Sequence, residues 1–153
     1  MHARQVLFLC SGNYYRSRLA EELFNHAAKN AGLNWRASSR GLALERGTEN
    51  IGPISHFTLQ ALADRGIMPS MRSPLACDIE DLESSHLIVA MKEAEHRFLL
   101  VKKYPGWENR VLYWHVHDID AANPTDAVAT IDRLILELVR AVQKPGFNGR
   151  ACG

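Results

Sequence analysis

Short, mostly apolar runs alternate along the chain with stretches in which apolar residues recur every three or four positions. The runs "QVLFLC", "NWRASS", "HLIVAM" and "RVLYWHV" predict strands over residues 5–10, 34–39, 86–91 and 110–116. Helical spacing follows each run, over about 16–31, 53–65, 92–102 and from Pro124 onwards. Apolar strands separated by helices are typical of a parallel sheet covered on both faces. The pattern therefore predicts an α/β fold, in which a four-stranded parallel sheet is the middle of three α/β/α layers.

Size and charge narrow the class of protein. A length of 153 residues is typical of one domain, so we expect residues 1–153 to form a single one. A formal net charge of +1 gives no general attraction to nucleic acid or to an anionic membrane. No apolar run approaches the roughly 20 residues needed to cross a bilayer, and the first residues do not read as a signal peptide. We therefore expect a cytoplasmic protein without nucleic-acid or membrane partners.

The cysteines and histidines do not predict a metal centre. Cys10, Cys77 and Cys152 show no paired spacing, which argues against a structural zinc site and a disulfide framework. His115 and His117 alternate along a predicted strand, as metal ligands often do, and Asp118 is adjacent, but the sequence does not indicate the further ligand that a metal site needs. We expect free thiols, no metal and no cofactor.

Cys10 ends the first predicted strand, and Arg16 begins the following helix. A loop of this length can wrap its amide groups around a tetrahedral anion, and the helix N-terminus adds about half a positive charge. Gly12 is expected to permit unusual backbone torsions, and Asn13 is a residue type that tolerates the left-handed conformation. The same positive field favours the thiolate of Cys10, while the guanidinium of Arg16 can grip two phosphate oxygens.

These residues resemble the signature of the low-molecular-weight protein tyrosine phosphatases. The signature positions are matched, after the apolar strand, by Leu9, Cys10, Gly12, Asn13, Arg16 and Ser17. "NWRASS", "LADRGI", "HLIVAM" and "WHVHDID" resemble later segments of the family in the same order. The resemblance implies the flavodoxin-like phosphatase fold over nearly the whole chain. It also implies a phosphate-binding loop made of Ser11, Gly12, Asn13, Tyr14, Tyr15, Arg16 and Ser17, supported by Asn13, Ser17 and Ser39.

The implied reaction is hydrolysis of a phosphomonoester through a phosphocysteine. Cys10 would attack phosphorus, while Arg16 and the loop amides would stabilise the equatorial oxygens. An ester oxygen leaves poorly as an anion, so a general acid is required. Asp118, at the carboxyl edge of the predicted sheet, aligns with the family's catalytic aspartate, and Asp120 is the reserve candidate. The expected partners are a phosphotyrosine protein or a small phosphomonoester, and inorganic phosphate or a similar oxyanion.

The chain departs from the family pattern near the loop and after the catalytic aspartate. Tyr15 replaces a second cysteine that can form a protective disulfide with the nucleophile. Ile119 replaces the proline that follows the aspartate, and the aromatic residues that flank a phosphotyrosine ring in eukaryotic members are missing. The sequence therefore leaves tyrosine specificity open, with Tyr14 either forming part of the missing wall or packing inside the protein.

Further departures concern the residues around the loop. Met71 stands where the family has a histidine that supports the loop, and Arg40 replaces a small residue. Arg18 replaces a proline. Arg16, Arg18 and Arg40 together are candidates for a basic rim, although simple solvation of Arg18 is the favoured interpretation.

Two other functions remain open. Arsenate reduction on the same fold would use the same thiol, but it needs resolving thiols, and neither Cys77 nor Cys152 lies in the segment where those reductases carry one. A non-catalytic module that binds phosphate or phosphoproteins would use the loop without Asp118. The intact Cys10 argues against that module, because binding alone does not need a thiol.

Overall fold

A computed structural model describes residues 2–118 and 123–147. It contains a four-stranded parallel sheet in the order β2-β1-β3-β4. The strands are β1 (Arg4–Cys10), β2 (Trp35–Gly41), β3 (Leu87–Ala90) and β4 (Leu112–Tyr113). The helices are α1 (Arg16–Asn30), α2 (His56–Ala63), α3 (Ile79–Glu83), α4 (Glu93–Lys103) and α5 (Pro124–Gln143), with short 3-10 helices at Leu44–Gly47 and Trp107–Arg110. The predicted α/β fold with a four-stranded parallel sheet is confirmed.

Several predicted boundaries change. The helix expected from residue 53 begins at His56, because the Ser55 hydroxyl accepts the amide of Phe57 and caps it. The fourth strand was expected over residues 110–116 but pairs only at Leu112–Tyr113. Helix α3 was not predicted from the sequence, and its start is fixed by a capping box between Asp78 and Asp81.

The sheet separates two apolar clusters. Alternate residues of β1 point to opposite faces. Val6 and Phe8 belong to a cluster with residues of α1, α2 and α5, whereas Leu7 and Leu9 pack in a second cluster with residues of α3 and α4. Helices therefore cover both faces, as the apolar strands predicted. In the described part of the chain, no helix is both long and apolar enough to cross a membrane.

The central strand places Cys10 between two neighbours. β1 pairs with β2 on one side and β3 on the other, and Cys10 lies opposite Gly41, the last residue of β2. A methyl group at Gly41 would lie 2.7 Å from the carbonyl oxygen of Ser11 and 3.1 Å from the amide nitrogen of Asn13. Only glycine lets β2 end this close to the backbone that follows Cys10.

Candidate active site

Residues 10–16, the phosphate loop, connect β1 directly to α1. Asn13 has a φ of 49° and is the only non-glycine residue with positive φ in the described ranges. Gly12 does not have positive φ, so the expectation that it provides the unusual torsion is wrong. Within the described residues, the amides of residues 11–16 donate to no backbone or side-chain acceptor. Together with the N-terminus of α1, these amides favour a bound anion.

The thiol of Cys10 lies against a hydroxyl. Cys10 Sγ and Ser17 Oγ are 2.9 Å apart, and both residues are buried. Asn13 Nδ2 donates to the same hydroxyl oxygen at 2.9 Å. The sulfur is the only acceptor within reach of the Ser17 hydroxyl among the described residues, so this hydroxyl can donate to a Cys10 thiolate. This arrangement stabilises negative charge on Cys10.

A polar network holds the loop from behind. Asn13 Nδ2 also donates to Ser39 Oγ at 2.9 Å, and Ser39 donates to Glu21 at 2.6 Å. Arg72 donates to Asn13 Oδ1 and to Ser39 Oγ, both at 3.0 Å, and forms an ion pair with Glu21. The structure thus brings together the three residues expected to support the loop. Glu21 and Arg72 also support the loop, although the sequence did not predict this role for either residue.

The missing histidine has a structural replacement one residue further along the chain. Met71 is 53% exposed, whereas the neighbouring Arg72 reaches the loop-supporting network. No periodic pattern in the sequence marks Arg72, because residues 67–78 lie outside the helices and strands.

Arg18 is buried, so its interpretation as a solvated charge is wrong. Its side chain donates to the carbonyl oxygens of Asn13, Pro53, Ser70 and Arg72 at 3.4, 3.0, 3.1 and 2.8 Å. Burial, together with the charge of Arg72, lowers the pKa of Arg18 below its ordinary value. Arg18 therefore ties the loop to two other segments and does not belong to a basic rim. Arg40 pairs with Asp81 at 3.3 Å.

Arg16 is held by a carboxylate that the sequence analysis did not identify. Its Nη1 and Nη2 donate to Glu95 Oε2 and Oε1 at 3.1 and 3.0 Å, and Nη1 also donates to the carbonyl of Val116 at 3.0 Å. Burial alone would lower the pKa of Arg16. The hydrogen bond to Glu95 and the charges of Cys10, Glu95 and Asp118 instead raise it above its ordinary value.

Glu95 is itself fixed by two neighbours. Ser11 Oγ donates to Glu95 Oε1 at 2.5 Å, and His96 Nε2 lies 3.4 Å from the same oxygen. The amide of Lys92 donates to His96 Nδ1 at 3.0 Å, so Nδ1 is unprotonated and Nε2 carries the proton. Burial would raise the pKa of Glu95, but hydrogen bonds from His96, Arg16 and Ser11 and the charge of Arg16 hold it well below its usual range.

A cleft of about 550 Å³ opens over the phosphate loop. Its lining residues include the thiol and the two acids near Arg16, two tyrosines and two further cations: Cys10, Glu95, Asp118, Tyr14, Tyr15, Arg46 and Lys92. Asp118 Oδ2 lies 3.5 Å from Arg16 Nη2, and its side chain is 42% exposed. The structure therefore brings Cys10, Arg16 and Asp118 to one cleft.

The two tyrosines of the loop have different surroundings. The Tyr14 hydroxyl donates to the carbonyl of Ile51 at 2.5 Å, and its half-buried side chain lines the cleft. Tyr15 is 5% exposed and packs against Phe57, with ring centroids 6.0 Å apart. Burial, followed by the charge of Asp118, raises the pKa of Tyr15. Tyr15 therefore fills the position of the family's second cysteine with a packed ring.

Other candidate residues lie away from this centre. Cys77 is a buried free thiol in the cluster on the other face of the sheet from Cys10. Among residues 2–118 and 123–147, no three His, Cys, Asp or Glu side chains are grouped to hold a metal ion. Asp120, Ile119 and Cys152 lie outside the described residues.

Comparison with known proteins identifies the family. Residues 5–142 match the model of the low molecular weight phosphotyrosine protein phosphatases. The chain is 28% identical over 107 residues to a protein-arginine-phosphatase of Bacillus subtilis (strain 168), covering 69% of this chain and 67% of that protein.

Solved structures agree with this assignment. The low molecular weight protein tyrosine phosphatase of T. tengcongensis is similar with a TM-score of 0.75 and 28% identity, over 90% of this chain and 99% of that one. YfkJ of Bacillus subtilis is similar with a TM-score of 0.80 and 26% identity, over 95% of this chain and 98% of that one. With the fold, the loop and the family model in agreement, the chain belongs to the low molecular weight phosphotyrosine protein phosphatase family and is a phosphatase.

Proposed function

We propose that this protein hydrolyses phosphotyrosine in protein substrates through a phosphocysteine formed on Cys10. One observation carries the proposal: the Cys10 thiol, the Arg16 guanidinium and the Asp118 carboxyl group line one cleft, above loop amides that have no acceptor among the described residues. This set provides a nucleophile, an oxyanion site and a proton donor.

In the first step, the Cys10 thiolate forms a bond to phosphorus as the bond to the ester oxygen breaks. The leaving oxygen takes the electron pair and a proton from Asp118. In the second step, Asp118 accepts a proton from water, whose oxygen attacks phosphorus as the bond to sulfur breaks. The products are the alcohol and inorganic phosphate, and the thiolate is regenerated. The Ser17 hydroxyl, 2.9 Å from Sγ, stabilises the sulfur as a leaving group.

Glu95 determines which edge of Arg16 meets the phosphate. Glu95 and the Val116 carbonyl take hydrogen bonds from the end of the guanidinium. Nε, by contrast, donates to no acceptor within the described residues. Two phosphate oxygens can therefore approach the side edge, made of Nε and Nη2, beside Asp118, whose Oδ2 lies 3.5 Å from Nη2. In this proposal Glu95 is a positioning residue and does not touch the substrate.

The positive charges of Arg46 and Lys92 in the cleft favour phosphotyrosine over phosphoarginine, the substrate type named for the arginine phosphatase relative. A phosphoarginine side chain contains a guanidinium group, which would enter a cleft lined by Arg46 and Lys92 as well as Arg16. Like charges in one cleft oppose such a substrate. A neutral phenyl ring has no such cost and can pack beside Tyr14.

A thiol-relay reductase is disfavoured by Cys77, which lies in the opposite apolar cluster and whose pKa burial raises to about 12. The proposed phosphatase needs a reduced thiol, which supports the expectation of a cytoplasmic protein.

The general-acid role of Asp118 gives the first test. We expect Asp118→Asn to lower kcat/KM for phenyl phosphate by about 10²- to 10⁴-fold, because this constant reports formation of the phosphocysteine. The loss should be much smaller for p-nitrophenyl phosphate, whose leaving oxygen needs less protonation. Steady-state and burst kinetics on both esters measure this difference.

Asp126→Asn is the matched control, because Asp126 lies in the first turn of α5 and does not line the cleft. Equal losses of kcat/KM on the two esters in Asp118→Asn would contradict the general-acid role, because hydrolysis of the phosphocysteine, which is common to both esters, does not enter kcat/KM. Phosphate binding by the native protein without release of either phenol would identify a binding module instead of an enzyme.

A further inference from the structure

Two cations on the cleft have no acidic partner in the part of the chain that the structure describes. Arg46 lies in the 3-10 helix that follows β2, and Lys92 lies between β3 and α4. Both line the cleft that contains Cys10. Neither forms an ion pair with a carboxylate of residues 2–118 or 123–147, whereas Arg40 and Arg72 pair with Asp81 and Glu21.

The sheet order places these cations on either side of the phosphate loop. β1 lies between β2 and β3, and all three strands run in the same direction. Their carboxyl ends therefore share one edge of the sheet. The segment after β2 carries Arg46, the segment after β1 is the phosphate loop, and the segment after β3 carries Lys92. A group bound by the loop thus has one of these cations on each side.

The acids that line the same cleft lie at Arg16. Glu95 takes two hydrogen bonds from Arg16, and Asp118 lies 3.5 Å from it. The buried guanidinium of Arg16 therefore opposes the charge of these acids locally. Arg46 and Lys92 form no such ion pair within the described residues, so they contribute positive potential at the cleft opening, which we call the mouth. The resulting field attracts negative groups that reach the mouth from a substrate bound in the loop.

We infer that the preferred substrates are phosphotyrosine segments with acidic residues on both sides of the phosphorylated residue. This inference rests on the proposed function and adds the substrate class to it. A peptide chain leaves a phosphotyrosine in two directions, so flanking Asp or Glu side chains can meet Arg46 on one side and Lys92 on the other. Each contact is an exposed ion pair that contributes modestly and weakens with salt.

The test compares two phosphotyrosine peptides that differ only in having Glu or Gln on both sides of the phosphotyrosine. For the native protein, kcat/KM should favour the Glu peptide by about three- to tenfold at low salt, with the difference largely in KM. The preference should shrink in 0.5 M salt. In the double variant Arg46→Gln, Lys92→Gln, the ratio between the two peptides should fall to about one.

The matched control is the double variant Lys29→Gln, Arg36→Gln, which removes the same two charge types. Lys29 lies in the last turn of α1, about 20 Å along the helix from Arg16, and Arg36 lies near the start of β2. This variant should keep the native preference. An equal loss of preference in both double variants would show a nonspecific effect of net charge and overturn the inference.

Further outcomes separate this inference from the proposed function. Equal turnover of the Glu and Gln peptides by the native protein would overturn the inference and leave the phosphatase proposal intact. Failure to hydrolyse either peptide or p-nitrophenyl phosphate would instead refute the proposed function. A preference for 4-carboxyphenyl phosphate over phenyl phosphate, without a peptide preference, would assign the cations to small dianionic esters and overturn the assignment to peptides.

Discussion

Cys10 and Cys77 are both buried thiols, with exposed fractions of 3% and 8%, yet their surroundings differ in almost every other respect. Cys10 lies against the Ser17 hydroxyl and close to the buried Arg16 guanidinium and the N-terminus of α1. Cys77 lies in an apolar cluster, and burial followed by the charges of Asp81 and Asp78 raises its pKa to about 12. The difference teaches that burial alone does not determine thiol chemistry. The groups that face the sulfur decide whether a negative charge is stabilised there.

The largest expected effect comes from exchanging the sulfur of each cysteine for oxygen. We expect Cys10→Ser to lower p-nitrophenyl phosphate turnover by roughly 10⁴-fold or more, because the nucleophile is lost while the anion site remains. Cys77→Ser should keep native kcat within about twofold. Stopped-flow and steady-state assays measure both, and phosphate binding to Cys10→Ser shows that its loop is intact. Comparable losses in the two variants would break the comparison.

The next largest effect should be a difference in alkylation rate between the two thiols. At pH 8 a thiol with a pKa of about 12 is only about one part in 10⁴ ionised, so iodoacetamide should modify Cys77 roughly 10³-fold more slowly than an ordinary cysteine. Cys10 should react readily and be protected by phosphate. Mass spectrometry of peptides after timed alkylation measures both sites. Rapid modification of Cys77 in folded protein would contradict this view of its surroundings.

The raised pKa of Cys77 also has a consequence for stability. The folded protein favours the neutral thiol of Cys77. The stability that this thiol contributes is therefore fully present below its pKa in the unfolded chain, about 8.5, and is lost as the pH rises towards its pKa in the folded protein, about 12.

A smaller effect should come from Glu95. This residue holds the Arg16 guanidinium near Cys10. Glu95→Gln keeps the side-chain shape but removes the charge and one acceptor oxygen. We expect kcat to fall by about ten- to hundredfold because Arg16 is no longer held in one orientation. Glu93→Gln is the matched control, because Glu93 pairs with Arg97 on the exposed side of α4.

The pKa of Glu95 also predicts a dependence on pH. Because the fold holds this pKa well below its usual range, the stability that Glu95 contributes is present above about pH 4.3 and is lost as the pH falls below that value. Urea unfolding of the native protein and Glu95→Gln from pH 3 to 7 should show the two curves converging in acid. A constant separation would contradict the role of the Glu95 charge.

The sequence predicted the strand, loop and helix around Cys10 because apolar periodicity and a short loop are local signals. The roles of Glu95 and Arg72 depend on contacts 79 and 59 residues away along the chain, which no local pattern encodes. Arg18 was misread because an arginine on a helix is usually solvated, whereas here carbonyls of neighbouring segments replace water. Gly41 was missed since its small size matters only when β2 meets the loop backbone.

The burial of Arg18 also bears on how this protein opens. One guanidinium accounts for hydrogen bonds to the backbone at residues 13, 53, 70 and 72. If only one of these segments unfolds locally, the buried guanidinium of Arg18 loses an acceptor, which costs free energy. Local unfolding of all the segments together avoids this cost, because the guanidinium then becomes solvated. The phosphate loop and residues 70–72 should therefore behave as one cooperative unit in native-state hydrogen exchange, although nearly sixty residues of chain separate them.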